Sequence, residues 1–234
     1  MIRGVLLDYG GTIDTNGVHW GAVLWKAYED NGVPVTNEHF RAAYAFGEKA
    51  LGTRPLIMPA HNFHDVLRIK IEEQFSFLLE HSMLDNDSRN SLYKEKIADQ
   101  TFTFAKEKVA AAAPVIEYLS EKYPLVLVSN FYGNISTVLA DFGLSKYFKT
   151  VVESAVVGVR KPDPGIFTLG VKALSAPASE LVVIGDSYTK DIAPGKKAGC
   201  QTIWINKTGW GDDPADVSAA DKTISDFGEL KKIL

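Results

Sequence analysis

Four short apolar runs separated by helix-length segments constrain this chain more than anything else: LVLVS (125–129), TVVES (150–154), ELVVIGD (180–186) and QTIWIN (201–206). Runs of this kind, alternating with helices, predict a parallel sheet wrapped by its own crossover helices. The segments between them read as helices: NISTVLADFG ended by Gly143, PDPGIFTLGVKAL (162–174) opened by prolines, and YTKDIAPGKKAG with Pro194 inside it. KTIS and a terminal helix, FGELKKIL, close the chain. A fifth run, IRGVLLD (2–8), is continuous in its apolar character and suits a strand buried on both faces.

That first run stands apart. Roughly 90 residues separate it from the next strand, too many for a loop in a compact domain. The stretch from about Gly17 to about Thr103 carries apolar positions at helical spacing in WGAVLWKAYEDNG, EHFRAAYAFGEKALG, FHDVLRIKIEEQFSFLLEHSML and SRNSLYKEKIADQTF. It holds no convincing strand run, so it predicts a helical subdomain of its own. AAAPVIEYLSEKY then reads as a separate helix leading back to the sheet.

Composition narrows the function classes. Hydrophobic residues make up 46% and charged residues 23%, an ordinary balance for a globular protein. The net charge of −4 and the lack of a basic run leave nucleic acid without an electrostatic footprint. No run is long enough to cross a bilayer, and no basic leader precedes the first strand, so no membrane partner is expected. The single cysteine, Cys200, excludes an internal disulfide framework and fits a reducing, cytoplasmic setting.

Ligands of open parallel sheets bind beyond the carboxyl ends of the strands. Those ends carry Asp8, then Ser129 and Asn130, then Lys161, then Asp186 with Asp191. Each has an ordinary structural reading: Asp8 as a turn residue before Gly-Gly, Ser129 and Ser187 as helix caps, Lys161 as a solvated loop lysine. Together they form a set of carboxylates, one cation and one hydroxyl beside an amide. That set suits a divalent metal and a phosphate-like group held against a carboxylate nucleophile.

GVLLDYGGTID, LVLVSN, VRKPDP and VVIGDSYTKD resemble, in order, the four motifs of the haloacid dehalogenase (HAD) superfamily. The helical block after the first motif matches the position of that family's C1-type cap. The resemblance covers the whole chain and implies an α/β fold: a Rossmann-like parallel-sheet core from residues 1–14 and 105–234, with an inserted all-helical cap at 15–104. It also implies Mg²⁺ as cofactor and a small phosphorylated molecule as substrate, hydrolysed through an aspartyl-phosphate. By the same resemblance Asp8 is the nucleophile, Thr12 and Ser129 bind the transferring phosphoryl group, and Lys161 neutralises its charge. Asp8, the Gly10 carbonyl, Asp186 and Asp191 are the expected metal ligands. Gly11 permits the tight turn and exposes backbone N–H groups to phosphate, and Asn130 joins it as a substrate-binding candidate.

Gly10 departs from the family pattern, in which the residue two after the nucleophile is usually a second Asp serving as acid and base. Such a group typically contributes on the order of 10²–10⁴-fold. Asp14 is near in sequence, without any indication that it reaches the same proton. Three readings follow: a phosphatase with altered acid–base catalysis, a phosphonatase- or dehalogenase-type hydrolase, or a catalytically impaired HAD-fold binding protein. A phosphonatase would need a cap lysine; the loop near Gly52 offers Arg54 instead, the expected cap contact for an anionic substrate. The aromatic residues of the early cap, Trp20, Trp25, Phe40, Tyr44 and Phe46, are expected to form its core. His61 and His64 share spacing with a helix face but lack partners for a zinc site. The sequence does not decide between monomer and homodimer.

Overall fold

A computed structural model describes residues 1–207, 210 and 216–234 of the chain. Six parallel strands form one sheet in the order β3-β2-β1-β4-β5-β6. They are β1 (Gly4–Leu7), β2 (Leu125–Ser129), β3 (Phe148–Glu153), β4 (Leu181–Gly185), β5 (Gln201–Ile205) and β6 (Lys222–Ile224). The central strands are buried along their whole length, as their unbroken apolar runs require. Alternate residues feed opposite faces. Val5, Leu7, Leu125, Leu127, Val182 and Ile184 join one apolar cluster, whereas Leu6, Val126, Val128, Leu181 and Val183 join another.

Four helices come between β1 and β2: α1 (Trp20–Asp30), α2 (Asn37–Thr53), α3 (Phe63–Glu80) and α4 (Arg89–Lys122). Their starts are chemically marked. His19, Thr36 and Asn62 each accept a backbone N–H at an N-cap, and Asn62 forms a reciprocal box with Asp65. Leu24, Tyr28, Phe40, Ile71, Phe75, Leu78 and Ile97 build a cluster separate from the sheet's own.

One expectation needs correction. The sequence suggests two helices on either side of Thr103, but α4 runs unbroken for 34 residues through that point. The boundary expected at residue 105 therefore falls inside a helix. The segment AKEKVAAAA that follows is rich in strong helix formers and contains no glycine, and the helix continues through Pro114, whose missing N–H removes one rung of the ladder without ending it. The first half of α4 packs with the inserted helices through Ile97 and Ala98, and the second half covers the sheet through Val109, Val115, Ile116 and Leu119.

The remaining helices flank the sheet: α5 (Ile135–Asp141), the single turn α6 (Ser154–Val157), α7 (Gly165–Leu174), α8 (Ala193–Lys197) and α9 (Leu230–Ile233). The segment read from sequence as one helix around Pro194 is a π-turn over Tyr188–Ile192 followed by α8, with Pro194 in the first turn of α8, where its missing N–H costs nothing. No helix among the described residues is long and apolar enough to cross a membrane.

Candidate active site

The sheet reverses its order of construction at β1. Strands β2 and β3 were added on one side, and β4, β5 and β6 on the other. Such a switch point leaves a crevice beyond the carboxyl ends of the two neighbouring strands. Asp8 follows β1 and Asp186 follows β4, so both carboxylates project into the same crevice. Ser129 ends β2 beside them.

The crevice is a cavity of about 150 Å³ lined by Asp8, Gly10, Gly11, Ser129, Lys161, Asp186 and Asp191, among others. Carboxylate oxygens of Asp8, Asp186 and Asp191 lie within 4.8 Å of one another. Three anions this close require compensation. Lys161 supplies it: its Nζ is 2.5 Å from Asp8 Oδ1 and 2.6 Å from Asp191 Oδ1, with all three side chains buried. Burial works against the Lys161 ammonium, but Asp191 and Asp8 outweigh it and hold the pKa above its ordinary value. Removal from water, reinforced by Asp8 and Asp191, pushes Asp186 well up. Burial raises Asp191 to about 6, against the opposing pull of Lys161.

The turn after β1 is built around three N–H groups, of Thr12, Ile13 and Asp14, converging on the Tyr9 carbonyl. Gly11 has φ +92°, and a Cβ there would lie 2.3 Å from an Asp186 carboxylate oxygen, so only glycine allows the two loops to meet. Among the described residues, the N–H groups of Tyr9 and Gly10 donate to nothing, and no donor reaches the Gly10 carbonyl. A Cβ at Gly10 would meet nothing within 4 Å, which makes the side chain absent at that position a real opening in the cavity.

Three expected contacts are placed differently. Thr12 does not face the cavity. Its hydroxyl lies behind the carboxylates, 2.8 Å from Asp8 Oδ2 and 3.1 Å from Asp186 Oδ1, and accepts the Asp186 N–H. Its one proton is shared between the two acids. Asn130 lines the cavity, but its amide is spent on the backbone of Lys161, donating to the carbonyl at 3.0 Å and accepting the N–H at 2.9 Å. Arg54 is outside the cavity altogether. It pairs with Glu73 at 2.8 Å and lies over the Phe46 ring, at the edge of a neighbouring depression that also includes Gly52.

The inserted helices supply side chains that the sequence did not single out. Lys70 of α3 and Glu48 of α2 form the roof, with Nζ 2.6 Å from Oε1. Burial opposes both charges, yet each partner holds the other ionised: the Lys70 pKa is raised and that of Glu48 lowered. His19 and Tyr44 complete that side, and burial, with Lys190 nearby, drops His19 to about 4, so its imidazole is neutral. Asp14 also enters the wall. His61 accepts the Met58 N–H and His64 faces Asp99, so neither helps form a metal cluster.

Residues 2–199 match the haloacid dehalogenase-like hydrolase family. The chain belongs to that family. As a haloacid dehalogenase-like hydrolase it is 28% identical over 148 residues to 5-amino-6-(5-phospho-D-ribitylamino)uracil phosphatase YigB of Escherichia coli, covering 61% of this chain and 58% of that protein. It is 26% identical over 207 residues to the HAD-hydrolase YfnB of Bacillus subtilis, covering 87% of this chain and 84% of YfnB. The chain spans between 34% and 58% of the lengths of several curated relatives it matches. A dehalogenase solved as an intermediate complex superposes with a TM-score of 0.67 at 18% identity, covering 100% of this chain and 97% of that one; this likeness concerns the fold.

Proposed function

We propose that this hydrolase is a Mg²⁺-dependent phosphatase acting on a small phosphorylated metabolite through phospho-Asp8. The observation that carries this reading is the buried Asp8–Lys161–Asp191 arrangement at the switch point, with Asp186 beside it. Asp8, Asp186 and Asp191 with the unengaged Gly10 carbonyl make an all-oxygen donor set, which fits a hard cation such as Mg²⁺. When bound, that ion supplies charge neutralisation for a phosphoryl group.

The chain's own residues account for the rest. Asp8 Oδ1 is the attacking atom, and Thr12 fixes its other oxygen. Lys161 offsets the repulsion between an anionic nucleophile and an anionic substrate. The Ser129 hydroxyl and the free N–H groups of Tyr9 and Gly10 donate to the phosphoryl oxygens. Asn130 holds Lys161 in place through its backbone. The inserted helices act as a cap over residues 15–104, excluding water and contacting the leaving group through Lys70, Glu48, His19 and Tyr44.

The phosphonatase-type alternative loses ground on one point. Lys70 is the lysine that the inserted helices place in the cavity, and Glu48 keeps it as an ammonium, whereas a Schiff-base amine must be neutral. The test is the metal dependence of p-nitrophenyl phosphate hydrolysis. Turnover is expected to require Mg²⁺, to vanish with chelator, and to need more Mg²⁺ in Asp186→Asn. Turnover indifferent to chelator would contradict the reading.

A further inference from the structure

We propose that this site takes a phosphate ester whose leaving group carries a second anion, and that Arg160 sets this specificity by holding that anion in the depression beside the cavity. The inference rests on the phosphatase reading above and names the class of substrate that reading leaves open.

The two hollows differ in charge. Five carboxyl groups line the cavity, those of Asp8, Asp14, Glu48, Asp186 and Asp191. The neighbouring depression has a volume of about 400 Å³ and, among the described residues, no acid in its lining, which includes Arg54 and Arg160. Phe131, Tyr132 and Arg160 belong to both linings, so the hollows meet along that edge. An anionic end on the leaving group is repelled by the acids of the cavity and meets the opposite charge across the edge.

Most of the cations nearby are committed. Lys161 is tied to Asp8 and Asp191, Lys70 to Glu48, and Arg54 to Glu73. Among the described residues, the Arg160 guanidinium has no carboxylate within 4 Å and donates no hydrogen bond. Lys190 is likewise without a partner among them, but it lines the cavity and not the depression.

The fork of Arg160 is also turned the right way. A Cβ at Gly52 would stand 3.6, 3.7 and 3.8 Å from Arg160 Nη2, Nη1 and Cζ. Distances this even place the end of α2 over the face of the guanidinium, which leaves its N–H edge for a ligand. A carboxylate or phosphate accepts two parallel bonds from such an edge. Arg160 directly precedes Lys161, whose N–H and carbonyl are both held by the Asn130 amide. Its backbone is therefore anchored in register with Asp8, which Lys161 touches.

The test compares kcat/KM within two pairs of esters, with Mg²⁺ present: glycerol 3-phosphate against 3-phosphoglycerate, and fructose 6-phosphate against fructose 1,6-bisphosphate. The first pair offers a carboxylate as the second anion and the second pair a phosphate, so the favoured pair identifies which is read. In wild type, the anionic member of at least one pair is expected to be favoured by about 10–100-fold, mainly through KM. Arg160→Gln erases that preference by raising KM for the anionic member, and Arg160→Lys recovers part of it. Lys190→Gln, which removes an equal charge from the cavity alone, shifts both members by the same factor. The proposal is overturned by a wild type without preference in either pair, by an equal loss for both members in Arg160→Gln, or by Lys190→Gln erasing the preference as fully. Calorimetric binding of the same esters to Asp8→Asn separates the subsite from the chemistry. A preference in Kd that is lost with Arg160→Gln, beside a wild type without turnover, supports the subsite and removes the phosphatase reading. Mg²⁺-dependent turnover without the preference keeps that reading and removes the subsite.

Discussion

Lys161 is the residue whose loss should cost most. It is the one cation between Asp8 and Asp191, and all three side chains are buried. Removing one partner of a buried ionic cluster leaves uncompensated charge, typically a loss of about 3–5 kcal/mol. Lys161→Met, unfolded in urea at pH 7 without metal, is expected to lose stability on that scale. Acidification should restore part of it as a carboxyl takes up a proton. A loss under about 1 kcal/mol would mean that the triad is not held as a charged unit. Asp8 was legible because it ends an apolar run at a strand's carboxyl end. Lys161, in the loop after α6, and Asp191, in the π-turn after β4, were legible instead through the VRKPDP and VVIGDSYTKD segments that carry them. Thr12 was legible as a member of the site but not in its orientation, which depends on the approach of Asp186 from β4. Asp14 was visible only as a neighbour in sequence, because its turn toward the Gly11 N–H is a feature of the folded loop.

At the level of elements, the inserted helices hold together through an aromatic cluster. Phe40 of α2 is fully buried, with ring centroids 5.2 Å from Trp25, 4.9 Å from Tyr28 and 6.1 Å from Tyr44. Phe40→Ala leaves a cavity between α1 and α2 and is expected to cost about 3–5 kcal/mol in equilibrium unfolding. A cost below about 1 kcal/mol would show that the cluster does not stabilise the cap. The aromatic residues and helical spacing announced this cluster in sequence. The roof of the active site was not announced. Lys70 and Glu48 look like any polar residues on amphipathic helices, and only the packing of α2 on α3 turns them inward. Arg54 misled for the same reason: it sits near Gly52 as expected, but Glu73 draws it away from the cavity. The continuous α4 was hidden by a change of partner along its length, from inserted helices to sheet, which disturbs its apolar periodicity without breaking the helix.

For the molecule as a whole, strand order explains why distant motifs meet. Asp8 and Lys161 are 153 residues apart in sequence, yet their side chains are 2.5 Å apart because β1 lies at the switch point of the sheet. The alternation of strands and helices was readable at this scale, since parallel pairing dictates the crossovers. Substrate identity was not, because it depends on which side chains the fold turns toward the leaving group. The central claim, that Asp8 is the nucleophile of a phosphatase, has a direct test in Asp8→Asn, which keeps the shape of the site and removes the attacking carboxylate. With Mg²⁺ and p-nitrophenyl phosphate, wild type is expected to turn over and Asp8→Asn to fall to the background rate while melting as a folded protein. Turnover retained in folded Asp8→Asn would contradict the account.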